Sequence, residues 1–243
     1  MDRLITGEDV ESLSKRFWTV PLVGLFYGLV AAALFFALGE VFDGLISAVL
    51  VLLVVHGLNR FLHFDGLIDL GDGLISTGTP EKRMAAMKDT RVGAGGAAFG
   101  LMLTLLIVSS LASVPHELYL VPIAMEVLAK NSLFTVAAFG SPREGLGNPF
   151  VSNAKRSAAA SSVILSLIML LPFMALLTLT GLRFEVLAAI VLAMIAASVL
   201  TGIVMSRAAM RTFGCVNGDL MGATNEISKA AVLLTALAVL SWI

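Results

Sequence analysis

Arg60-Phe61-Leu62-His63-Phe64-Asp65-Gly66-Leu67-Ile68-Asp69-Leu70-Gly71-Asp72-Gly73 stands at the end of a long apolar run, where acids should be scarce. Its three aspartates are spaced i, i+4 and i+7. On a helix turning 100° per residue they fall within about 60° of one another, so they share one face. Carboxylates this close repel one another unless a cation sits among them. Oxygen ligands suit Mg²⁺, which binds through one or two carboxylates together with substrate phosphates. An aspartate at mid-bilayer costs roughly 2.5–3.5 kcal/mol on insertion scales, so acids beside a span are functional candidates by default. Gly66, Gly71 and Gly73 weaken a helix, and their use is to let a ligand or a neighbouring helix approach the backbone. The competing reading is a helix end that has reached water.

Working outward, the chain is 58% hydrophobic and 14% charged, against roughly 45–50% and roughly 25% for soluble proteins. Several apolar runs reach the roughly 20 residues that cross a bilayer. The alternating pattern of a membrane β-barrel is missing. The expected fold is all-α: a polytopic integral membrane protein of about seven transmembrane helices with short interfacial helices. The predicted spans are 17–38, 44–62, 96–114, 119–139, 157–179, 185–206 and 230–243. The last is short, so its start is expected inside the polar-looking residues before it. Polar segments are expected at about 63–95, 140–156 and 207–229. Residues 1–16 read as an interfacial helix, with Thr6-Gly-Glu-Asp9 able to cap it, or as a tail with chance periodicity. Neither a repeat nor a soluble domain is apparent, so 1–243 reads as one membrane-embedded catalytic unit.

Charge distribution orients the chain. With the N-terminus in the cytoplasm, every lysine and arginine falls in a cytoplasmic segment except Arg183 and Lys130. This is the positive-inside pattern. It requires an odd number of spans and puts all the longer polar segments, the aspartates included, on the cytoplasmic side of a cell membrane. The single cysteine, Cys215, excludes an intramolecular disulfide and a cysteine zinc cluster. The three histidines form no HExxH motif. Nothing points to nucleic acid, and a homo-oligomer is left open.

Further candidates lie downstream. Lys82, Arg83, Lys88 and Arg91 make a basic cluster beyond the acids, where cations and Mg²⁺ would share the charge of a polyphosphate. Asp89 reads as a further ligand or as a partner of Arg91. Gly93, Gly95, Gly96 and Gly100 suit either an amide nest for phosphate or close helix packing. Lys130 lies within a span and needs an anion or a carbonyl. Glu126, four residues away, offers a structural pair; a substrate phosphate is the alternative. The loop from Pro142 to Pro149 carries Arg143, whose guanidinium could hold a phosphate bidentately. Asp219 and Glu226 form a second acidic pair, i and i+7 on one face, with Gly218 and Gly222 permitting close packing. Beside the Asp65 helix, this helix would surround a Mg²⁺ space with carboxylates. His63 abuts the first motif and reads as a packing or a site residue.

The chain resembles the cobalamin synthase family, the adenosylcobinamide-GDP ribazoletransferases. The resemblance is carried by His63-Phe-Asp65-Gly-Leu-Ile-Asp69-Leu-Gly-Asp72-Gly, Met87-Lys88-Asp89-Thr-Arg91-Val-Gly93, Arg143-Glu-Gly-Leu-Gly147 and Gly218-Asp219-Leu-Met-Gly222-Ala-Thr-Asn-Glu226. Trp18-Thr-Val-Pro21 adds to it. The family often has Arg where Lys130 stands and Thr where Asn217 stands.

The resemblance implies a Mg²⁺-dependent membrane transferase acting late in cobalamin biosynthesis. Its donor would be adenosylcobinamide-GDP and its acceptor α-ribazole or α-ribazole 5′-phosphate. GMP would be released and adenosylcobalamin or its 5′-phosphate formed. Asp65, Asp69, Asp72 and Asp219 would hold the metal. Asp65, Asp69, Asp72, Lys88 and Arg91 would carry the chemistry, and Arg143, Lys130, His63, Asp219 and Glu226 would bind the ligand. A CDP-alcohol phosphotransferase is the enzymatic alternative, but its DGxxAR motif fails here because Ile68-Asp69 follows Asp65-Gly. A cation transporter is the other, but it would favour acids at mid-span and paired halves.

Overall fold

The computed structural model describes residues 7–145 and 147–242. Arg3, Thr6 of the expected cap, and Leu146 of the Arg143 loop lie outside the described residues. The fold is all-α. Helices follow in the order α1 (Gly7–Lys15), α2 (Pro21–Gly39), α3 (Gly44–Leu58), α4 (Leu62–Ile75), α5 (Pro80–Met87), α6 (Ala94–Ala112), α7 (Val121–Phe139), α8 (Asn148–Asn153), α9 (Ala159–Leu177), α10 (Phe184–Thr212) and α11 (Gly218–Ser241). Among the described residues, six helical segments are long and apolar enough to cross a membrane, and α3 with α4 makes a seventh if that bent pair is one span. The protein is a polytopic membrane protein.

Helix α7 is the axis, with Val121 through Ala138 all buried. Lipid tails are as apolar as leucine, so helices in a membrane associate through close packing rather than through hydrophobicity. Gly24 shows how: a Cβ there would fall 2.6 Å from the Glu126 carbonyl oxygen, so only glycine lets α2 lie this close to α7. The outer faces stay apolar, with Phe26, Leu53, Leu101 and Leu200 all exposed, as lipid contact requires.

The second span departs from its expected form. Helix α3 stops at Leu58, and α4 leaves at 97° to it. Arg60 (φ 55°) and Phe61 (φ 58°) both adopt left-handed backbone, which costs non-glycine residues about 1–3 kcal/mol each. Stacking helps hold the turn: the Phe61 ring lies 5.8 Å from His56, and His56 lies 5.7 Å from Phe64. Two adjacent left-handed residues carry no glycine signal, so an apolar run reads as straight where the backbone turns a corner.

The last span begins at Gly218 and runs to Ser241. Its polar first half is membrane helix, with Thr224, Asn225, Glu226, Ser228 and Lys229 all buried. Lys229, counted from sequence as a topology signal, is an interior residue.

Several contacts gather the chemistry-bearing segments at one end of the bundle. Asn153 donates to Ser14 at 2.8 Å, tying α8 to α1. The Val216 amide donates to Ser141 at 2.8 Å, joining the 140–147 loop to the loop before α11, and Pro142 and Val216 form an isolated parallel bridge. At the other end Gly39 meets His116 and Gly44 meets Ala112.

Candidate active site

Helix α4 carries Asp65, Asp69 and Asp72 along one side, and the start of α11 packs across it. A Cβ on Gly66 would sit 2.5 Å from the Asp219 carbonyl oxygen, so glycine at 66 is the condition for the two acidic segments to meet. Gly222 packs on His63 about one turn along. The charges of Asp219, Asp65 and Asp72 all bear on Asp69, and that of Asp65 bears on Asp219. Among the described residues, neither Asp65 nor Asp69 has a side-chain hydrogen bond or an ion pair. Asp65 is exposed and Asp69 half-buried. Asn217 fixes the fourth acid: its Oδ1 accepts from the Leu220 amide at 2.9 Å, capping α11, and its Nδ2 donates to Asp219 at 2.9 Å. Lys88, at the end of α5, places its charge against Asp219.

Asp72 has a different environment. Its two oxygens accept from the backbone amides of Gly93 (2.8 Å) and Gly96 (2.7 Å), two of the unpaired donors at the start of α6. A carboxylate there also complements the helix dipole. Gly95 and Gly96 lie against α4, where Cβ atoms would strike Ile75 and Ile68. The glycine run thus packs α6 onto α4, with Asp72 as its cap.

The cations divide as well. Arg83 donates to the Leu74 carbonyl at 3.0 Å, closing the end of α4. Arg91 is exposed and grips Asp89 through Nε (3.1 Å) and Nη2 (2.9 Å), while its amide also donates to that carboxylate. This arrangement holds the Asp89 carboxyl down at about 2. Arg143 is exposed in a loop laid against the start of α11, and its charge reaches Glu81.

Lys130 and Glu226 lie deeper, inside the bundle. Lys229 stands 3.0 Å from Glu126 and 3.1 Å from Glu226. Lys130 donates to Asn225 at 2.7 Å and lies 3.8 Å from Glu126. Asn225 in turn donates to Glu226 at 3.0 Å. His56 and His63 approach Glu226 at 3.8 and 4.0 Å. Two lysines and two glutamates thus neutralise one another beneath the acids. Of the two partners expected for Lys130, the structure supplies Glu126. Sequence reading missed the roles of Asn217, Asn225, His56 and Lys229. The i, i+3 spacing of Glu226 and Lys229 was the one available signal.

The model of the family described as Cobalamin-5-phosphate synthase matches residues 4–237. Proteins named adenosylcobinamide-GDP ribazoletransferase are similar over nearly the whole chain. The one from Methanosarcina mazei is 32% identical, covering 95% of this chain and 85% of its own. The one from Methanopyrus kandleri is 37% identical, covering 93% and 88%. The one from Chlorobium phaeovibrioides is 32% identical, covering 96% and 91%. No solved structure matches.

Proposed function

The chain belongs to the Cobalamin-5-phosphate synthase family and is a transferase of cobalamin synthesis. From that membership we propose that it transfers the adenosylcobinamide phosphoryl group of adenosylcobinamide-GDP to α-ribazole or α-ribazole 5′-phosphate. The observation that carries the reading is the meeting of unpartnered Asp65 and Asp69 with Asp219 from the far end of the chain. A bound cation or a cationic ligand would offset such a group of carboxylates.

Asp65, Asp69 and Asp219 suit Mg²⁺. Among the described residues no group of three His, Cys, Asp or Glu side chains is placed to hold a metal ion together, so one or two of these carboxylates would bind it at a time. That fits an ion which keeps waters and completes its shell with substrate phosphates. Bound there, Mg²⁺ would neutralise the pyrophosphate and stabilise the departing phosphate oxygen. Asp72, with both oxygens on α6 amides, positions α6 against α4 instead.

In the reaction the ribazole hydroxyl oxygen attacks the phosphorus on the cobinamide side. A new P–O bond forms, and the P–O bond to GMP breaks, its electron pair leaving with GMP. The hydroxyl proton passes to one of the α4 carboxylates. Lys88 and Arg143 are the cations best placed to hold phosphate oxygens. Lysines and arginines crowd the same end of the bundle, and this supports a cytoplasmic setting for the acids at a cell membrane.

The test is GMP release by purified protein given adenosylcobinamide-GDP. GMP should appear only when α-ribazole or its 5′-phosphate is also present, cease on chelation and return with Mg²⁺. Release indifferent to the acceptor, or consumption of a CDP-alcohol in its place, defeats the reading.

A further inference from the structure

A cavity of about 430 Å³ with no acid in its lining opens at the same end of the bundle, lined by Phe139, Arg156, Ile203, Ser206, Arg207 and Arg211 among others. Its three arginines come from the start of the α9 span and the last turns of α10. Among the described residues, none of the three guanidinium groups has an acidic partner or a hydrogen bond. Arg156 is steadied by the Phe139 ring, its guanidinium carbon 5.2 Å from the centroid, a cation–π contact. A topology signal alone asks only that cations lie on one side of the membrane. It does not ask three guanidinia to converge on one hollow without a counter-ion.

The shape of α10 says what the counter-ion is attached to. Leu200, Val204, Arg207 and Arg211 are spaced 4, 3 and 4 residues apart, so they form one stripe along the helix. Leu200 and Val204 are exposed apolar residues on the membrane-facing surface, and the stripe then ends in the two arginines. Ile203 and Phe139 give the hollow an apolar wall. A ligand matching this has hydrocarbon beside the helix and a phosphate at its end. We propose that Arg156, Arg207 and Arg211 form a binding site for the phosphate headgroup of an anionic phospholipid, with its chains along Leu200 and Val204. Basic pockets between membrane helices near the interface are suited to such headgroups, and arginine suits phosphate through its bidentate fork. The site stands apart from the transferase reading, since it shares no residue with the acids.

The test is lipid retention by the full chain purified from nanodiscs of mixed phosphatidylglycerol and phosphatidylcholine, read by native mass spectrometry. The unaltered protein should retain phosphatidylglycerol preferentially. Arg207→Gln and Arg211→Gln should each cut that preference about fivefold, while Arg183→Gln, at the opposite end, leaves it intact. A parallel arm adds pyrophosphate. If pyrophosphate binds with the same arginine dependence and phosphatidylglycerol is not preferred, the site belongs to a soluble phosphate and the lipid assignment falls. Equal retention by the unaltered protein and a folded Arg156→Gln/Arg207→Gln/Arg211→Gln variant overturns the proposal outright.

Discussion

Lys229 Nζ lies 3.0 Å from Glu126 Oε1, linking α11 to α7 in the middle of the bundle, with both side chains 1% exposed. Removing one member of a buried ion pair leaves an uncompensated charge, at about 3–5 kcal/mol. Lys229→Met strands Glu126 and Glu226 together, so it should lower thermal stability in detergent by that order. The double variant Lys229→Met/Glu126→Gln should recover part of the loss. Equal stability of the single variant and the parent would mean that the glutamates do not rely on this lysine.

The metal assignment separates aspartates that look alike in sequence. Asp65→Asn and Asp69→Asn should abolish GMP release while the proteins still insert and elute as the parent does. Each keeps its size and loses only its charge. Full activity of either, measured with saturating Mg²⁺, would remove that residue from the site.

Asp72→Asn should behave differently. Its carboxylate accepts the Gly93 and Gly96 amides, and an asparagine oxygen retains one of those bonds. The expected result is a stability loss of about 0.5–2 kcal/mol, the range for a lost helix cap, with measurable activity remaining. An Asp72→Asn protein as stable as the parent and wholly inactive would return Asp72 to the metal.

The contrast marks how far the sequence was readable. The i, i+4, i+7 spacing of the aspartates puts them on one face and says nothing about their partners. Those come from α6 and α11, whose packing depends on glycines that look alike until the neighbouring backbone is in view. The spans were legible because each is a run of apolar residues, and α2, α6, α7, α9 and α10 lie close to where the runs put them. The 97° turn at Arg60-Phe61 was not legible, since left-handed backbone at two non-glycine residues is imposed by tertiary contact. The start of α11 was legible only in part. Its buried polar residues read as aqueous until Glu126 and Lys130 of α7 are seen to pair with them.

Asp89 and Arg91 yield a pH prediction. The Arg91 guanidinium holds the Asp89 carboxyl at about 2, below its ordinary value. A depressed carboxyl adds stability above its unfolded value, and that contribution is lost as pH falls through about 2. Both groups are exposed, so the effect on stability should be small. Across neutral pH the pair stays ionised and should add no inflection to the rate profile. Carbonyl-carbon NMR of the Asp89 side chain should titrate near 2 in the parent and near the ordinary aspartate value in Arg91→Gln. A parent midpoint already at the ordinary value would mean that Arg91 is free to serve elsewhere.

Gly66→Ala tests whether the two acidic segments must touch. The added methyl would lie 2.5 Å from the Asp219 carbonyl oxygen. That oxygen belongs to backbone in the first turn of α11, held by the Asn217 cap, so it cannot swing aside as a side chain would. Helix α4 or α11 has to move, and overpacking of this kind costs about 1–3 kcal/mol. Activity should fall further than stability, because the displacement separates Asp219 from Asp65 and Asp69 while leaving every carboxylate in place. Mg²⁺ affinity, read as the concentration giving half-maximal GMP release, should weaken in step. Gly57→Ala is the control, since a Cβ at Gly57 meets nothing within 4 Å. If Gly66→Ala kept the parent's Mg²⁺ dependence and rate, α4 and α11 would not need this close approach, and Asp219 would have no claim to the metal.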